Sequence, residues 1–159
     1  MICLDTNILI AHKRSKQKDT TRLYQLSTQY SFAVTSITAY ELYRGDNSAE
    51  DAFWSNFFFK ITMLDFTITA AMDAGKIYKD LKLKGMMIDI EDILIAAIAI
   101  SNSLQLATDN KNHLGRIEGL EIIYTCPVTD CITMEEHRVA PKYVNWKDYQ
   151  RLGLPLNDH

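Results

Sequence analysis

Four carboxylates in this sequence stand where open parallel sheets place their chemistry, just past short apolar runs. Asp5 follows Ile2-Cys3-Leu4, Glu41 lies in Thr38-Ala39-Tyr40-Glu41 beyond Phe32-Ala33-Val34, and Asp109 follows Leu104-Gln105-Leu106-Ala107-Thr108. Asp92 closes Asp89-Ile90-Glu91-Asp92, the polar opening of a strongly apolar stretch. Carboxylates gathered on one edge repel one another, at about 4 kcal/mol for a pair 4 Å apart in an effective dielectric near 20. No lysine or arginine is adjacent in sequence to Asp5, Asp92 or Asp109, although Lys111 is close. A hard divalent cation, Mg2+ or Mn2+, would relieve such a cluster through its oxygen ligands. An ion held this way activates water and steadies the attacking and leaving oxygens of a phosphodiester displacement.

Each acid also has a purely structural reading. Asp5 and Asp109 suit helix N-caps, and Thr38 with Glu41 three residues on has the form of a capping box. Asp89 and Asp92 suit the positive end of a helix. The conjunction of all four on one sheet edge favours the chemical reading.

The elements that would position these acids follow from hydrophobic periodicity. Five short apolar runs, at 2–4, 32–34, 61–64, 104–107 and 120–123, read as strands. Between them, residues 6–29, 37–59, 67–103 and 110–116 read as helical. Alternation of strand and helix implies parallel pairing, because parallel neighbours need a long crossover. The expected fold is therefore a three-layer α/β/α sandwich around a central, mainly parallel five-stranded sheet. Its ligands would lie beyond the carboxyl ends of the strands. The stretch Ile93–Ile100 is apolar on every face and predicts a buried helix. It is too short to span a membrane, which takes about 20 such residues.

The chain has 159 residues, 47% of them hydrophobic, which suits one folded domain over roughly 1–126. Residues 127–159 carry Pro127, Pro141 and Pro155, scattered charge and Trp146, and read as a C-terminal arm packing on the domain or on a partner. Cys3, Cys126 and Cys131 are too few for a disulfide framework, and with no basic, apolar leader at Met1–Asp5 a cytoplasmic setting is expected. Cys126, Cys131 and His137 match no common zinc spacing, and Cys3 reads as a small buried hydrophobe. The formal net charge of −3, from 17 basic and 20 acidic residues, argues against a broadly positive nucleic-acid surface.

Taken with their spacing, four segments resemble the signatures of PIN-domain ribonucleases, especially the VapC-like toxins of bacterial toxin–antitoxin pairs. They are Leu4-Asp5-Thr6-Asn7-Ile8-Leu9-Ile10, Ser36–Gly45, Glu91–Ala97, and Ala107-Thr108-Asp109-Asn110 with Gly119-Leu120. The resemblance implies that Asp5, Glu41, Asp92 and Asp109 are the metal-binding and catalytic acids, with Thr6, Asn7, Thr108 and Asn110 in support. Asp89 departs from the family pattern as an additional acid. The implied activity is endoribonucleolysis with Mg2+ or Mn2+, leaving a 5′-phosphate and a 3′-hydroxyl. The implied partners are RNA, a cognate antitoxin and a second copy of the chain, with no membrane.

Local composition supplies the rest of the expected surface. Lys13, Arg14, Lys16 and Lys18 cluster just after the first motif and, with Arg44, are candidates for RNA phosphates. Phe53, Trp54, Phe57 and Phe58 recur at helical spacing, which reads either as core packing or as a wall of the antitoxin groove. A phosphoacceptor domain would need an acidic pair before Asp5, and a haloacid-dehalogenase-type phosphatase would need an aspartate where Asn7 stands. The remaining alternative is a PIN fold used as an RNA- or protein-binding module with little or no nuclease activity. Retention of all four acids weighs against it.

Overall fold

A computed structural model describes residues 1–45 and 48–123. Five strands, β1 (Ile2–Leu4), β2 (Phe32–Thr35), β3 (Thr62–Leu64), β4 (Leu106–Ala107) and β5 (Ile122–Ile123), form one sheet in the order β3-β2-β1-β4-β5. Every pairing is parallel, so the sheet is wholly rather than mainly so. From β1 the chain steps outward to β2 and β3, then crosses back to β4 on the other side of β1. The order of connection reverses beside β1, and Asp5 sits at its carboxyl end, the place at which doubly wound sheets open a crevice.

Seven α-helices are described, α1 (Thr6–Arg14), α2 (Arg22–Ser27), α3 (Ser36–Tyr43), α4 (Ser48–Phe58), α5 (Ile68–Leu83), α6 (Ile90–Ser101) and α7 (Lys111–Leu114), with a 3-10 turn at Lys18–Thr20. Three stretches expected to be single helical runs each divide in two. In the first, the ammonium of Lys18 donates to the carbonyls of His12 and Lys13, 2.7 Å from each, and finishes α1. Thr21 then caps α2 through its hydroxyl. Between α5 and α6, Gly85 takes a left-handed φ of 65°, with Met86 N–H bonding back to Leu81 O at 2.9 Å, an arrangement that ends helices at glycine.

The two-residue period of the strands sorts their side chains onto opposite faces. Ile2, Leu4, Phe32, Val34, Ala107 and Ile123 face a core closed by residues of α1, α2 and α4. Cys3, Ala33 and Leu106 face a second core closed by α5, α6 and α7. These are the three layers expected from the sequence. In α6, Ile93, Ile95, Ala96, Ala97, Ile98 and Ala99 are all buried, so this helix is enclosed and its polar first turn is carried to the sheet edge. No described helix is long and apolar enough to cross a membrane. The expected domain boundary at 126 and the 127–159 arm, with Cys126, Cys131 and His137, lie outside the described residues.

The aromatic stripe of α4 divides, with Phe57 in the core and Trp54 both in the core and lining a cavity beside Glu41. Trp54 and Phe57 are each 2% exposed and belong to the core beneath α1 and α2, while Phe53 and Phe58 are half-buried against it. Trp54 meets Phe53 and Phe57 edge-on, at centroid separations of 4.9 and 6.0 Å. Phe57 is therefore a packing residue and not a groove wall, because its ring is already covered within the monomer.

Candidate active site

Asp5 ends β1 and begins α1, and its carboxylate serves both elements. Oδ1 accepts from the backbone N–H of Thr6 at 2.7 Å, so the residue caps α1 as well as facing the site. Oδ2 accepts from Asn7 Nδ2 at 2.6 Å and from Thr108 Oγ1 at 2.5 Å. Asn7 also donates to Thr108 Oγ1 at 3.1 Å and accepts from the Asp109 N–H at 3.2 Å, which ties the ends of β1 and β4 together. Of the residues expected to support Asp5, Asn7 and Thr108 bond its carboxylate through their side chains and Thr6 through its backbone N–H.

Glu41 does not act as the third residue of a capping box. The helix it belongs to starts earlier, with Thr35 as N-cap accepting from Thr38 N–H at 2.9 Å. Glu41 therefore sits in the body of α3, and its Oε2 accepts the hydroxyl proton of Thr6. Asp92 stands in the first turn of α6, where its Oδ2 accepts from Asn110 Nδ2 at 2.9 Å.

Burial and neighbouring carboxylates act on all three acids in the same direction. Asp5, 3% exposed, is pushed up to about 6, first by burial and then by the Asp92 and Glu41 carboxylates, against the opposing bonds from Thr108 and Thr6. Glu41 is raised by burial, with Asp92 and Glu91 adding to it. Asp92 is raised by burial and by Asp89, against His113 and Asn110. Three carboxylates are thus held together at a cost that a bound cation would reverse. Their hard oxygen donors fit Mg2+ or Mn2+.

Asp109 is placed differently. Its Oδ1 bonds the guanidinium of Arg22, which also donates to the carbonyls of Thr108 and Ile123. Arg22 is 87 residues away in sequence, so no local pattern announces it. Asp109 is not the cap of α7 either, since that place is taken by Asn110.

The expected basic surface divides in the same way. Arg14 and Lys16 are exposed. Lys18 is buried with its ammonium on the α1 carbonyls, so its charge finishes a helix and is not offered to an RNA phosphate. Lys13 lies 5.1 Å from the ring centroids of both Phe53 and Trp54. Arg44 bonds Glu91 at 3.0 Å and lies over Tyr40. A cavity of about 210 Å3 lies beside Glu41, lined by Ile10, Leu42 and Trp54 together with Lys13 and Arg14. Cys3, fully buried with its thiol pushed up to about 12 chiefly by burial, is the small hydrophobe expected.

Residues 2–130 match the PIN domain family model. The chain is 35% identical over 126 residues to Ribonuclease VapC1 of Methanocaldococcus jannaschii, covering 76% of this chain and 85% of that protein. It is 30% identical over 128 residues to the tRNA(fMet)-specific endonuclease VapC of Salmonella typhimurium, covering 77% and 96%. Among solved structures it is similar to DNA-bound VapBC from Salmonella typhimurium, with a TM-score of 0.68 and 30% identity over 77% of this chain and 98% of the other.

Proposed function

The chain belongs to the PIN-domain family, and on that footing we propose that it is a divalent-metal-dependent endoribonuclease, the toxin of a toxin–antitoxin pair. The observation that carries the reading is the grouping of Asp5, Glu41 and Asp92 at the sheet's reversal point, each raised by burial, with the Asp92 carboxylate acting on both Asp5 and Glu41. These three would hold Mg2+ or Mn2+. When bound, the ion supplies Lewis acidity toward water and toward a phosphodiester.

The protein's own part is orientation. Thr6, Asn7 and Thr108 fix both oxygens of Asp5, and Asn110 fixes Asp92, so the acids need little reorganisation to meet a cation. Asp109 joins them by giving up Arg22. Arg14 and Lys16, both exposed, are offered to the RNA backbone, whereas the Lys13 ammonium is shielded against Phe53 and Trp54. The cavity beside Glu41, with Ile10, Leu42 and Trp54 as apolar lining and Lys13 and Arg14 as basic lining, suits an antitoxin segment with mixed apolar and acidic character. Likeness to VapBC complexes supports such a partner. For pairing of two copies, the exposed Met63, Phe66, Ile68 and Met72 along edge strand β3 and the start of α5 offer an apolar face.

Purified full-length protein should cleave RNA when Mg2+ or Mn2+ is present, leaving 5′-phosphate ends. Initiator tRNA is the first substrate to try, given the Salmonella typhimurium relative's named specificity. Asp5→Asn should remove the cleavage while the fold persists, and equal cleavage by the two proteins would refute the mechanism.

A further inference from the structure

At the rim of the acidic site stands a guanidinium with an aromatic ring beside it. Arg44 is the C-cap of α3, the helix that carries Glu41, and Glu91 is in the first turn of α6, next to Asp92. Arg44 Nη1 donates to Glu91 Oε1 at 3.0 Å, and the two side chains are 55% and 31% exposed. The guanidinium carbon lies 5.4 Å from the centroid of the Tyr40 ring, one turn earlier on α3.

Three properties make this group more than a surface ion pair. First, a pair this exposed contributes little to stability, because water and salt screen both charges. Another anion can therefore take Arg44 from Glu91 at small cost, and a phosphodiester offers the guanidinium fork two oxygens where Glu91 supplies one. Second, the Tyr40 ring is not spent on packing. It is 53% exposed and belongs to neither core. Tyr43, the other exposed tyrosine of α3, is engaged with α4 instead: its hydroxyl bonds Ser55 at 2.8 Å and its ring meets Phe58 at 5.7 Å. An open ring beside an arginine is the combination on which single-strand binders stack unpaired bases. Third, Tyr40 directly precedes Glu41 and Arg44 follows it by three residues, so a nucleotide held by the pair has its phosphate next to the acids.

We propose that Tyr40 and Arg44 form a nucleotide subsite for single-stranded RNA, in which a base stacks on the Tyr40 ring and the adjoining phosphate takes Arg44 from Glu91. Glu91 holds the cation until RNA arrives, and so screens the subsite against weaker anions. The subsite rests on the ribonuclease reading for its substrate and narrows it to RNA with an unpaired base near the scissile bond, since a base kept in a helix is not free to reach the ring.

The test is fluorescence anisotropy of the full-length protein in a chelator, with two labelled probes of equal charge: a mixed-sequence single-stranded RNA decamer and its abasic counterpart. Tyr40→Leu should weaken binding of the RNA decamer about fivefold or more and leave the abasic probe unchanged. Tyr40→Phe, which keeps the ring, should bind the decamer as wild type does. Arg44→Gln should weaken both probes and lower the salt slope by about 0.7. Glu91→Gln should tighten both about twofold, and that gain should vanish when Arg44→Gln is added. None of the three side chains is buried, so the folds should persist, as circular dichroism checks. Equal losses on the two probes in Tyr40→Leu, loss of decamer binding in Tyr40→Phe, no gain in Glu91→Gln, a gain that survives Arg44→Gln, or no decamer binding by wild type would each overturn the subsite. Cleavage with Mg2+ and its loss in Asp5→Asn are measured separately, so failure here is distinguishable from failure of the ribonuclease reading.

Discussion

Replacing Asp5 by asparagine should make the metal-free protein more stable at neutral pH, even as it disables the site. The carboxyl of Asp5 ordinarily titrates near 3.8 and is pushed to about 6 in the fold, chiefly by burial. Between about pH 4 and 6 the unfolded chain gives up this proton while the folded chain keeps it. The folded state then binds more protons, and stability falls as pH rises through that window. Above it the ionised group costs the fold about 3 kcal/mol.

Asparagine removes the charge but keeps only one acceptor oxygen. Either the Thr6 N–H, or the Asn7 and Thr108 donors on Oδ2, then face an amide NH2. That mismatch returns roughly 1–2 kcal/mol. The net gain at pH 7.5 is about 1–2 kcal/mol, and each kcal/mol raises Tm by roughly 2–4 °C in a chain of this size. Thermal unfolding in a chelator at pH 7.5 and pH 4 measures it. The advantage should vanish at pH 4, where the wild-type carboxyl is neutral. With saturating Mn2+ at pH 7.5 the order should invert, because only the wild-type site gains the full binding energy. A variant no more stable than wild type at pH 7.5 without metal, or one whose advantage persists at pH 4, would refute the account of the acids as held together under strain.

Two further substitutions separate structural cations from RNA-facing ones. Lys18→Met removes the donor to the His12 and Lys13 carbonyls and should cost about 1–3 kcal/mol in urea unfolding without changing RNA affinity. Lys16→Gln, at an exposed position, should leave stability within about 0.5 kcal/mol and lower the salt dependence of RNA binding by about 0.7 in slope. Arg22→Met strips the guanidinium from Asp109 and from the Thr108 and Ile123 carbonyls, and should destabilise by roughly 2–4 kcal/mol in the same urea assay.

What the sequence revealed follows the range of the interactions concerned. The sheet, its parallel pairing and the buried α6 are written in runs of apolar residues, and the placement of Asp5, Thr6 and Asn7 is written in their adjacency to β1. The helix breaks at Lys18 and Gly85 were less legible, because one depends on a side chain folding back onto carbonyls and the other on a left-handed φ. Glu41 shows how a local pattern misleads: Thr38 and Glu41 have capping-box spacing, but Thr35 starts the helix one turn earlier and leaves the glutamate for Thr6. Arg22 had no local signal. The aromatic stripe of α4 supported two readings, and burial decides for the core at Phe57 while Trp54 serves both, packed in the core and lining the cavity beside Glu41.

The net charge of −3 takes a different meaning once the pairs are known. Setting four acids aside for a metal leaves a nearly neutral chain, but Asp109 already has its cation in Arg22, and Glu91 has Arg44. Among the described residues, the carboxylates grouped without a bonded lysine or arginine are Asp5, Glu41 and Asp92, with Asp92 acting on the other two and Asp89 on Asp92. That concentration of negative charge sits where a phosphodiester would have to approach, and it would repel the phosphate as strongly as it attracts a cation. Arg14 and Lys16, exposed and a short distance along the chain from the acids, can draw the RNA backbone toward the site but cannot neutralise the acids. Metal binding and RNA binding must therefore be coupled, each lowering the electrostatic cost of the other. RNA affinity of the chelated protein should consequently fall short of that of the metal-loaded protein even under conditions that prevent cleavage.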